Sequence, residues 1–329
     1  MIALERLCRG GPPCQGQIVL VFGLGLIGRS IVHGLHRRSD YSTTELPYSW
    51  SGGSAQAGDG QRIVEFVSSR RSVPRETRSS HEAPRVDLVW SAGRGGFGST
   101  EEQLGPELRS FESVLMLASR IRSLHPECGH AFHMISSAGG LFEGQRNVGP
   151  ESRPEPKRPY AALKLKQEEL LGGLDPAVDK FVYRPSSVYG FVAGGMREGL
   201  LTTLISNGIR RQVSRVFGEP GTLRDYVLAS DVGQFVADRL VGAIREHRIF
   251  TLASGKPSTI SEILLMTEVL IDRSLYVVFQ QSAVNAEHNT FRPDALPVDW
   301  SPTALYTGMQ QTKLRLLEFF AQKRSWSAA

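Results

Sequence analysis

Residues Ile18–Ser30 read IVLVFGLGLIGRS, and this stretch decides the fold. Five apolar residues, Ile18 to Phe22, run straight into Gly23, Gly25 and Gly28. Ile31 to Leu35 then continue an apolar pattern at helical spacing. The order is strand, tight turn, helix. In a G-x-G-x-x-G turn the first glycine permits the tight bend. The second lets the backbone approach a pyrophosphate, and the third lets the helix pack close to the strand. Free N–H groups at the start of the helix, with its dipole, suit a phosphate. The spacing alone also occurs in ordinary structural turns. Its place between a strand and a helix makes it a candidate dinucleotide site.

Outward from this turn, residues 1–17 read as a loose leader, with Glu5, Arg6, Arg9 and two prolines and no long apolar run of a signal peptide. Downstream, the first helix ends near Arg37–Arg38, Pro47–Trp50 is the candidate second strand, and Ser51–Gly60, rich in Gly, Ser and Ala, reads as loop. Gln61–Ser69 fits a helix or a strand, and Arg70–Pro84 reads as polar loop. Strands are expected at Val86–Trp90, Ala131–Ser136 and Lys180–Arg184, with helices at Glu107–Leu124 and Tyr160–Leu171. Strands alternating with helices mean βαβ units and a parallel sheet. After Gly190 the alternation weakens. Helices are expected at Gly199–Asn207, Asp231–Ile244, Ser258–Leu270 (capped by Ser258 or Thr259) and Leu305–Gln322, with strands at Ile249–Ser254 and Leu275–Phe279. No internal repeat is present.

A chain of 329 residues can form one large α/β domain, or a main domain with a smaller partner. The formal charge of +5 suits an anionic ligand without requiring nucleic acid. The densest basic run holds Arg70, Arg71, Arg75, Arg78 and Arg85 with no interleaved aromatics, so it reads as a solvated loop rather than a base-stacking surface. Cys8, Cys14 and Cys128 are an odd count without metal-ligand spacing, which points to a reducing compartment. No apolar run reaches membrane-spanning length, and the expected location is the cytoplasm. The histidines, among them His33, His36, His125, His130 and His133, form no metal-ligand pattern, so no metal site is expected.

Tyr160 and Lys164 stand four apart near the start of a helix and share a face. A nearby ammonium favours the phenolate, so such a tyrosine can act as acid or base near neutral pH. The alternative is a pair of neighbours on an exposed helix face. Ser137 follows the strand Ala131–Ser136, at the carboxyl edge where open parallel sheets bind ligands. It can hydrogen-bond a substrate oxygen, or it can simply cap a turn or helix; for Ser136 the capping role is the better reading.

These residues, in this order and rough spacing, resemble the short-chain dehydrogenase/reductase superfamily, in its extended branch, the NAD-dependent epimerase/dehydratase family. Asp87-Leu88-Val89-Trp90-Ser91-Ala92-Gly93 is similar to the family's fourth-strand motif beside the adenosine, and Tyr183-Arg184-Pro185-Ser186-Ser187-Val188-Tyr189-Gly190 to its R-P-x-N-x-Y-G turn. Leu223–Val227 with Asp231-Val232, and Trp300-Ser301-Pro302 with Gly308, resemble its R-D-Y-I-H-V-x-D-V and W-x-P…G segments. The resemblance spans roughly residues 18–320. It implies an α/β fold: a Rossmann-type doubly wound parallel sheet with a smaller, discontinuous C-terminal α/β substrate domain. The NAD(P)-binding domain would be 18–186, with 226–256 returning to it, and the substrate-binding domain 187–225 and 257–329. It implies NAD or NADP bound by Gly23, Gly25, Leu26, Ile27, Gly28, Ser51, Ser91, Ala92, Gly93, Tyr160, Lys164, Pro185 and Ser187. Ser137, Tyr160 and Lys164 would be catalytic. Ser137, Ser187 and Arg224 would meet the substrate, Arg224 at the diphosphate of a nucleotide-activated sugar, where its fork satisfies phosphate oxygens. Relatives often form homodimers through the helices matching Glu107–Leu124 and Tyr160–Leu171.

Three departures bear on the reaction. No carboxylate stands at Trp50-Ser51-Gly52, where an acid would bind the adenosine ribose, so NADP is open and Arg29, Arg37 or Arg38 are candidates for its 2′-phosphate. Ser187 replaces the family's asparagine. Ala138-Gly139-Gly140 follow Ser137 where the family's 4,6-dehydratases carry an Asp-Glu pair, which disfavours dehydration. The readings are an NAD(P)-dependent nucleotide-sugar epimerase, an NADPH-dependent ketoreductase of a sugar or similar ketone, and a cofactor-sensing scaffold. The joint presence of Ser137, Tyr160 and Lys164 argues against the scaffold.

Overall fold

The computed structural model describes residues 1–7, 13–50, 52–71, 84–193, 199–242, 248–280 and 287–327. From the N-terminus run β1 (Ile2–Leu7), β2 (Pro13–Phe22), α1 (Leu26–Arg38), β3 (Tyr41–Glu45), α2 (Gly53–Arg71), β4 (Arg85–Trp90) and α3 (Glu101–Leu124). Then follow β5 (Gly129–Ile135), α4 (Ala138–Leu141), α5 (Pro159–Gly172), β6 (Val178–Pro185), β7 (Ser187–Tyr189), α6 (Leu200–Arg210) and β8 (Ser214–Phe217). The last elements are β9 (Leu223–Arg224), β10 (Tyr226–Leu228), α7 (Ala229–Val241), β11 (Arg248–Leu252), β12 (Ser258–Thr259), α8 (Ile260–Ile271), β13 (Val277–Gln280) and α9 (Leu305–Ser327).

Seven strands form one sheet in the order β11-β6-β5-β4-β2-β1-β3. The first five run parallel, and β1 lies antiparallel to both of its neighbours. Alternate residues of β2 serve opposite faces. Ile18, Leu20 and Phe22 join a core with Ile63 and Phe66 of α2, Phe111 and Val114 of α3 and Leu171 of α5. Val19 and Val21 join a second core with Ile31 and Leu35 of α1 and Val232 and Phe235 of α7. Each such side chain contributes about 1.5–3 kcal/mol of transfer free energy when fully buried. Helices on both faces of a mostly parallel sheet make the doubly wound, Rossmann-type α/β fold. A third core joins Leu201 and Leu204 of α6, Ile260 and Ile263 of α8 and Met309 and Leu316 of α9, and forms the smaller C-terminal region. No helix among the described residues is long and apolar enough to cross a membrane.

The structure corrects four sequence expectations. The supposed leader supplies β1 and the start of β2. Ala3 and Leu4 are fully buried on opposite faces, and the polar Glu5 is accommodated because Arg70 donates to it at 3.0 Å. The second strand after α1 is Tyr41–Glu45, not Pro47–Trp50, and it pairs with β1 instead of β2. The glycine-rich 53–60 stretch is helical. There Asp59 accepts from the Ser49 N–H at 2.7 Å, and Gln56 bonds the Tyr48 hydroxyl at 3.1 Å, so tertiary contacts override poor helix propensity. The basic run is also partly structural. Arg70 lies over the Phe66 ring, Arg71 donates to the Arg85 carbonyl, and Arg85 pairs with the buried Asp87 at 2.9 Å. Arg75 and Arg78 lie outside the described residues.

One buried group makes stability pH-dependent. His133 in β5 is fully buried, stacks on Phe181 and shares a 2.9 Å hydrogen bond with the Tyr183 hydroxyl. Burial, with Arg85 adding to it, pushes its pKa down from 6.5 to about 3. Between these values the unfolded chain binds a proton that the folded chain refuses, so stability falls as pH drops through that window. Urea titrations at pH 7 and pH 4.5 should show His133→Phe losing about 2–3 kcal/mol less than the parent over the same step. An equal loss in both proteins would remove His133 as the cause.

Candidate active site

The glycine turn has the geometry that its spacing requires. Gly23 sits at φ +92°, and a Cβ there would overlap the Ala92 backbone. A Cβ on Gly28 would collide with the Gly23 carbonyl, so α1 can meet the strand only at glycine. Gly25 is different. It is exposed, and nothing lies within 4 Å of the position its Cβ would take. It caps α1 without a side-chain hydrogen bond, and no acidic residue follows in the first turn, which includes Leu26 and Ile27. Open space, free helix N–H groups and no competing carboxylate suit the pyrophosphate of a dinucleotide.

The Ser91–Gly93 loop links this turn to Tyr160 and Lys164. The Ser91 hydroxyl donates to the Gly23 carbonyl at 2.6 Å, and Ala92 packs on Gly23. A Cβ on Gly93 would lie 3.5 Å from Lys164 Nζ. Pro159, whose missing N–H costs nothing at a helix start, places Tyr160 in the first turn of α5 and Lys164 one turn on. The Lys164 ammonium is buried 5.8 Å from the Tyr160 ring centroid. It donates to Glu107 and to Gln167, each at 3.1 Å. Burial pulls its pKa down, but Glu107, Tyr160 and Glu168 outweigh burial, and the net direction is upward. The pair is therefore not a solvated helix face.

Ser137 caps α4, its oxygen accepting from the Gly140 N–H at 3.1 Å. A Cβ on Gly140 would touch the Tyr160 ring at 3.3 Å, so Ser137 and Tyr160 border the same glycine. Ser136 instead donates to Glu168, which pairs with Arg184. The Phe97 ring lies 5.9 Å from the Tyr160 ring, with the Arg224 guanidinium 5.6 Å from it. Serine, tyrosine, lysine and arginine thus lie along one side of the sheet's carboxyl edge.

The model of the NAD dependent epimerase/dehydratase family matches residues 19–244. The chain belongs to this family. Among solved structures, a UDP-glucose 4-epimerase from Thermus thermophilus in complex with NAD is 16% identical, with 91% of this chain and 98% of that one covered and a TM-score of 0.72. A UDP-glucuronic acid 4-epimerase from Bacillus cereus, in complex with UDP-glucuronic acid and NAD, is 17% identical (92% and 99% covered, TM-score 0.67). RMD from Pseudomonas aeruginosa complexed with NADPH has the same identity, coverage and TM-score. No curated protein matches the sequence.

Several family-like motif residues hold the frame of this epimerase/dehydratase chain. Asp225 accepts from the Ser186 hydroxyl, the Ser254 N–H and hydroxyl, and the Gly255 N–H, at 2.7–2.9 Å. It thereby locks the turn after β6, where Pro185 closes β6 and Ser187 opens β7, against the end of β11. Asp231 accepts from Thr303, and Trp300 donates to the Ala253 carbonyl at 2.6 Å. Both aspartates thus have partners other than Arg224. Burial pushes the pKa of Arg224 down, and Tyr226, Glu143 and Arg158 act on it electrostatically.

The adenosine end departs from the sequence reading. The strand after α1 ends in Glu45, outside the expected Pro47–Trp50, and β1 separates that strand from β2. At about 4.8 Å per strand, Glu45 stands one spacing farther out than a strand beside β2 would place it. Trp50 packs on Tyr48 and Trp90 instead, and Ser51 lies outside the described residues. Arg37 and Arg38 end a 13-residue helix, about 18 Å from the glycine turn, and Arg38 binds Asp238. Neither reaches a 2′-phosphate at the turn. Arg29 lies one turn into α1, its Nε donating to the Leu24 carbonyl.

Sequence reading missed Phe97, Glu107 and the Glu143–Arg158 pair, whose Nε donates to both carboxylate oxygens at 2.7–2.8 Å. Phe97 alone had a local signal, a lone aromatic in a glycine run. Glu107 resembles any polar residue of an amphipathic helix.

Proposed function

We propose that this chain epimerises a nucleotide-activated sugar with bound NAD or NADP, Tyr160 acting as acid/base. One observation carries the reading: the Ser91–Gly93 loop bonds the glycine turn at one end and lies beside Lys164 at the other. A cofactor lying along that loop from Gly25 would end beside Tyr160. The family membership and the nucleotide-sugar complexes among similar folds support the same reading. When bound, the nicotinamide supplies a reversible hydride acceptor. Tyr160 takes the proton of a sugar hydroxyl as its carbon is oxidised, and returns it after the keto-sugar has turned over. Lys164 would hold the nicotinamide ribose. Ser137 would donate to the sugar oxygen, and Ser187 and Pro185 would help to hold the cofactor. Residues 18–186 with 226–256 would hold the cofactor, and 187–225 with 257–329 the sugar. α3 and α5, packed side by side, are the proposed contact of a cytoplasmic homodimer.

A second reading, an NADPH-dependent ketoreductase, is favoured by the placement of β1 between β2 and the strand carrying Glu45. An NMR time course with UDP-, GDP- and dTDP-sugars separates the two. An epimer growing in without added cofactor supports the epimerase. Stoichiometric loss of NADPH with a keto-sugar, and no epimer from any sugar, hands the case to the reductase.

Arg224→Ala should weaken nucleotide-sugar binding by about 1.5–3 kcal/mol, the range for hydrogen bonds to charged groups, and spare cofactor binding. Calorimetry with each ligand reads this. A fall in melting temperature with unchanged sugar affinity would make Arg224 structural.

A further inference from the structure

Resting on the reading of Tyr160 and Lys164 as the reactive pair, we propose that Glu107 is its positioning residue. Its carboxylate ties the Lys164 ammonium to the loop that links the pair to the dinucleotide turn. The two oxygens divide the work. Oε1 accepts from Lys164 Nζ at 3.1 Å, and Oε2 accepts from the N–H groups of Arg94 and Gly95 at 3.1 and 3.2 Å. Added Cβ atoms show the surroundings. One on Gly93 would meet Glu107 Oε1 at 3.3 Å, and one on Gly95 would lie 3.4 Å from Oε2 and 3.2 Å from the Tyr160 ring. The carboxylate therefore stands between loop, phenol and ammonium.

A buried ammonium needs a compensating charge, and breaking a buried pair from one side is costly. The charged and titratable groups that act on Lys164 are Glu107 from α3 and Tyr160 and Glu168 from α5. Glu168 is engaged by Ser136 and Arg184. Gln167 offers a neutral oxygen. Glu107 is thus the carboxylate that meets Lys164 directly. With Glu107 gone, burial would dominate and Lys164 would lose its proton more readily. Glu107 also reaches through Arg94 and Gly95 to the loop that packs on Gly23, so one side chain aligns the ammonium with the cofactor's path.

The test is a lysine-selective ¹³Cε NMR titration of the cofactor-free full chain, comparing the parent with Glu107→Gln and Glu107→Asp. In Glu107→Gln the Lys164 midpoint should fall by about one pH unit or more, and Glu107→Asp should recover part of the shift. The pH profile of kcat should move in the same direction, while KM for the sugar stays within about twofold. An unmoved Lys164 midpoint, or an unmoved pH profile, overturns the proposal. Should the glutamine variant not fold, the aspartate variant decides: it keeps the charge but withdraws it by one methylene, so an unchanged midpoint overturns the proposal. The titration needs neither sugar nor turnover. Absence of activity on every sugar would count against the proposed reaction, whereas an unmoved midpoint in an active enzyme would count against Glu107 alone.

Discussion

Tyr160→Phe should lower kcat by about 10²–10⁴-fold, the range for removing a general acid/base, and leave the melting temperature and cofactor affinity unchanged. The structure explains why the loss should be this clean. The Tyr160 hydroxyl makes no hydrogen bond among the described residues, so its removal orphans no buried partner. The contacts that fix the ring are those of its carbon skeleton, with Phe97 and with the Gly140 backbone. Phenylalanine keeps them all. Lys164 loses a neighbouring dipole but retains Glu107 and Gln167. Single-turnover kinetics with the sugar and bound cofactor would isolate the proton-transfer step. Near-normal turnover in the phenylalanine variant would remove Tyr160 as the acid/base and with it the proposed mechanism.

What the sequence made legible follows from where the signal is local. The turn at Gly23–Gly28 is written in consecutive residues, each with its own steric task, and it was readable to the residue. Tyr160 and Lys164 were readable because helical spacing alone puts them on one face. The apolar runs of β4, β5 and β6 were readable because both of their faces are buried. The misses are all non-local. β1 breaks its apolar run with Glu5 and Arg6, and Glu5 is satisfied by Arg70 from a helix far along the chain. The helix at Gly53–Gly60 forms against its propensity because Asp59 and Gln56 find partners in the preceding segment. The consequence reached the site. With β1 read as leader, the sequence offers Pro47–Trp50 as the strand after α1, whereas the strand is Tyr41–Glu45 and pairs with β1. Glu107 and Phe97 meet Lys164 and Tyr160 only when α3, the Ser91–Gly93 loop and α5 are brought together, which no local pattern records.

Gly25→Val should abolish dinucleotide binding in a protein that still folds, and of the three turn glycines this is the position that can separate the two effects. At Gly28 an added carbon collides with the Gly23 carbonyl, and at Gly23 a side chain would face both positive φ and the Ala92 backbone. Substitutions there damage the turn itself, so a lost ligand would say little. At Gly25 the φ of −75° is open to any residue, and an added Cβ meets no atom of the chain. Valine is a poorer N-cap than glycine, a cost of about 1 kcal/mol or less. The isopropyl group would instead fill the space above the first N–H groups of α1, where a pyrophosphate would sit. Losing two hydrogen bonds to a charged group, at about 1.5–3 kcal/mol each, predicts affinity lower by roughly 10²–10⁴-fold. Calorimetry with NAD, NADH and NADPH on the folded variant measures it, and a melting curve within a few degrees of the parent certifies the fold. Unchanged affinity would place the dinucleotide elsewhere, and the path from Gly25 along the Ser91–Gly93 loop to Tyr160 would have to be abandoned with it.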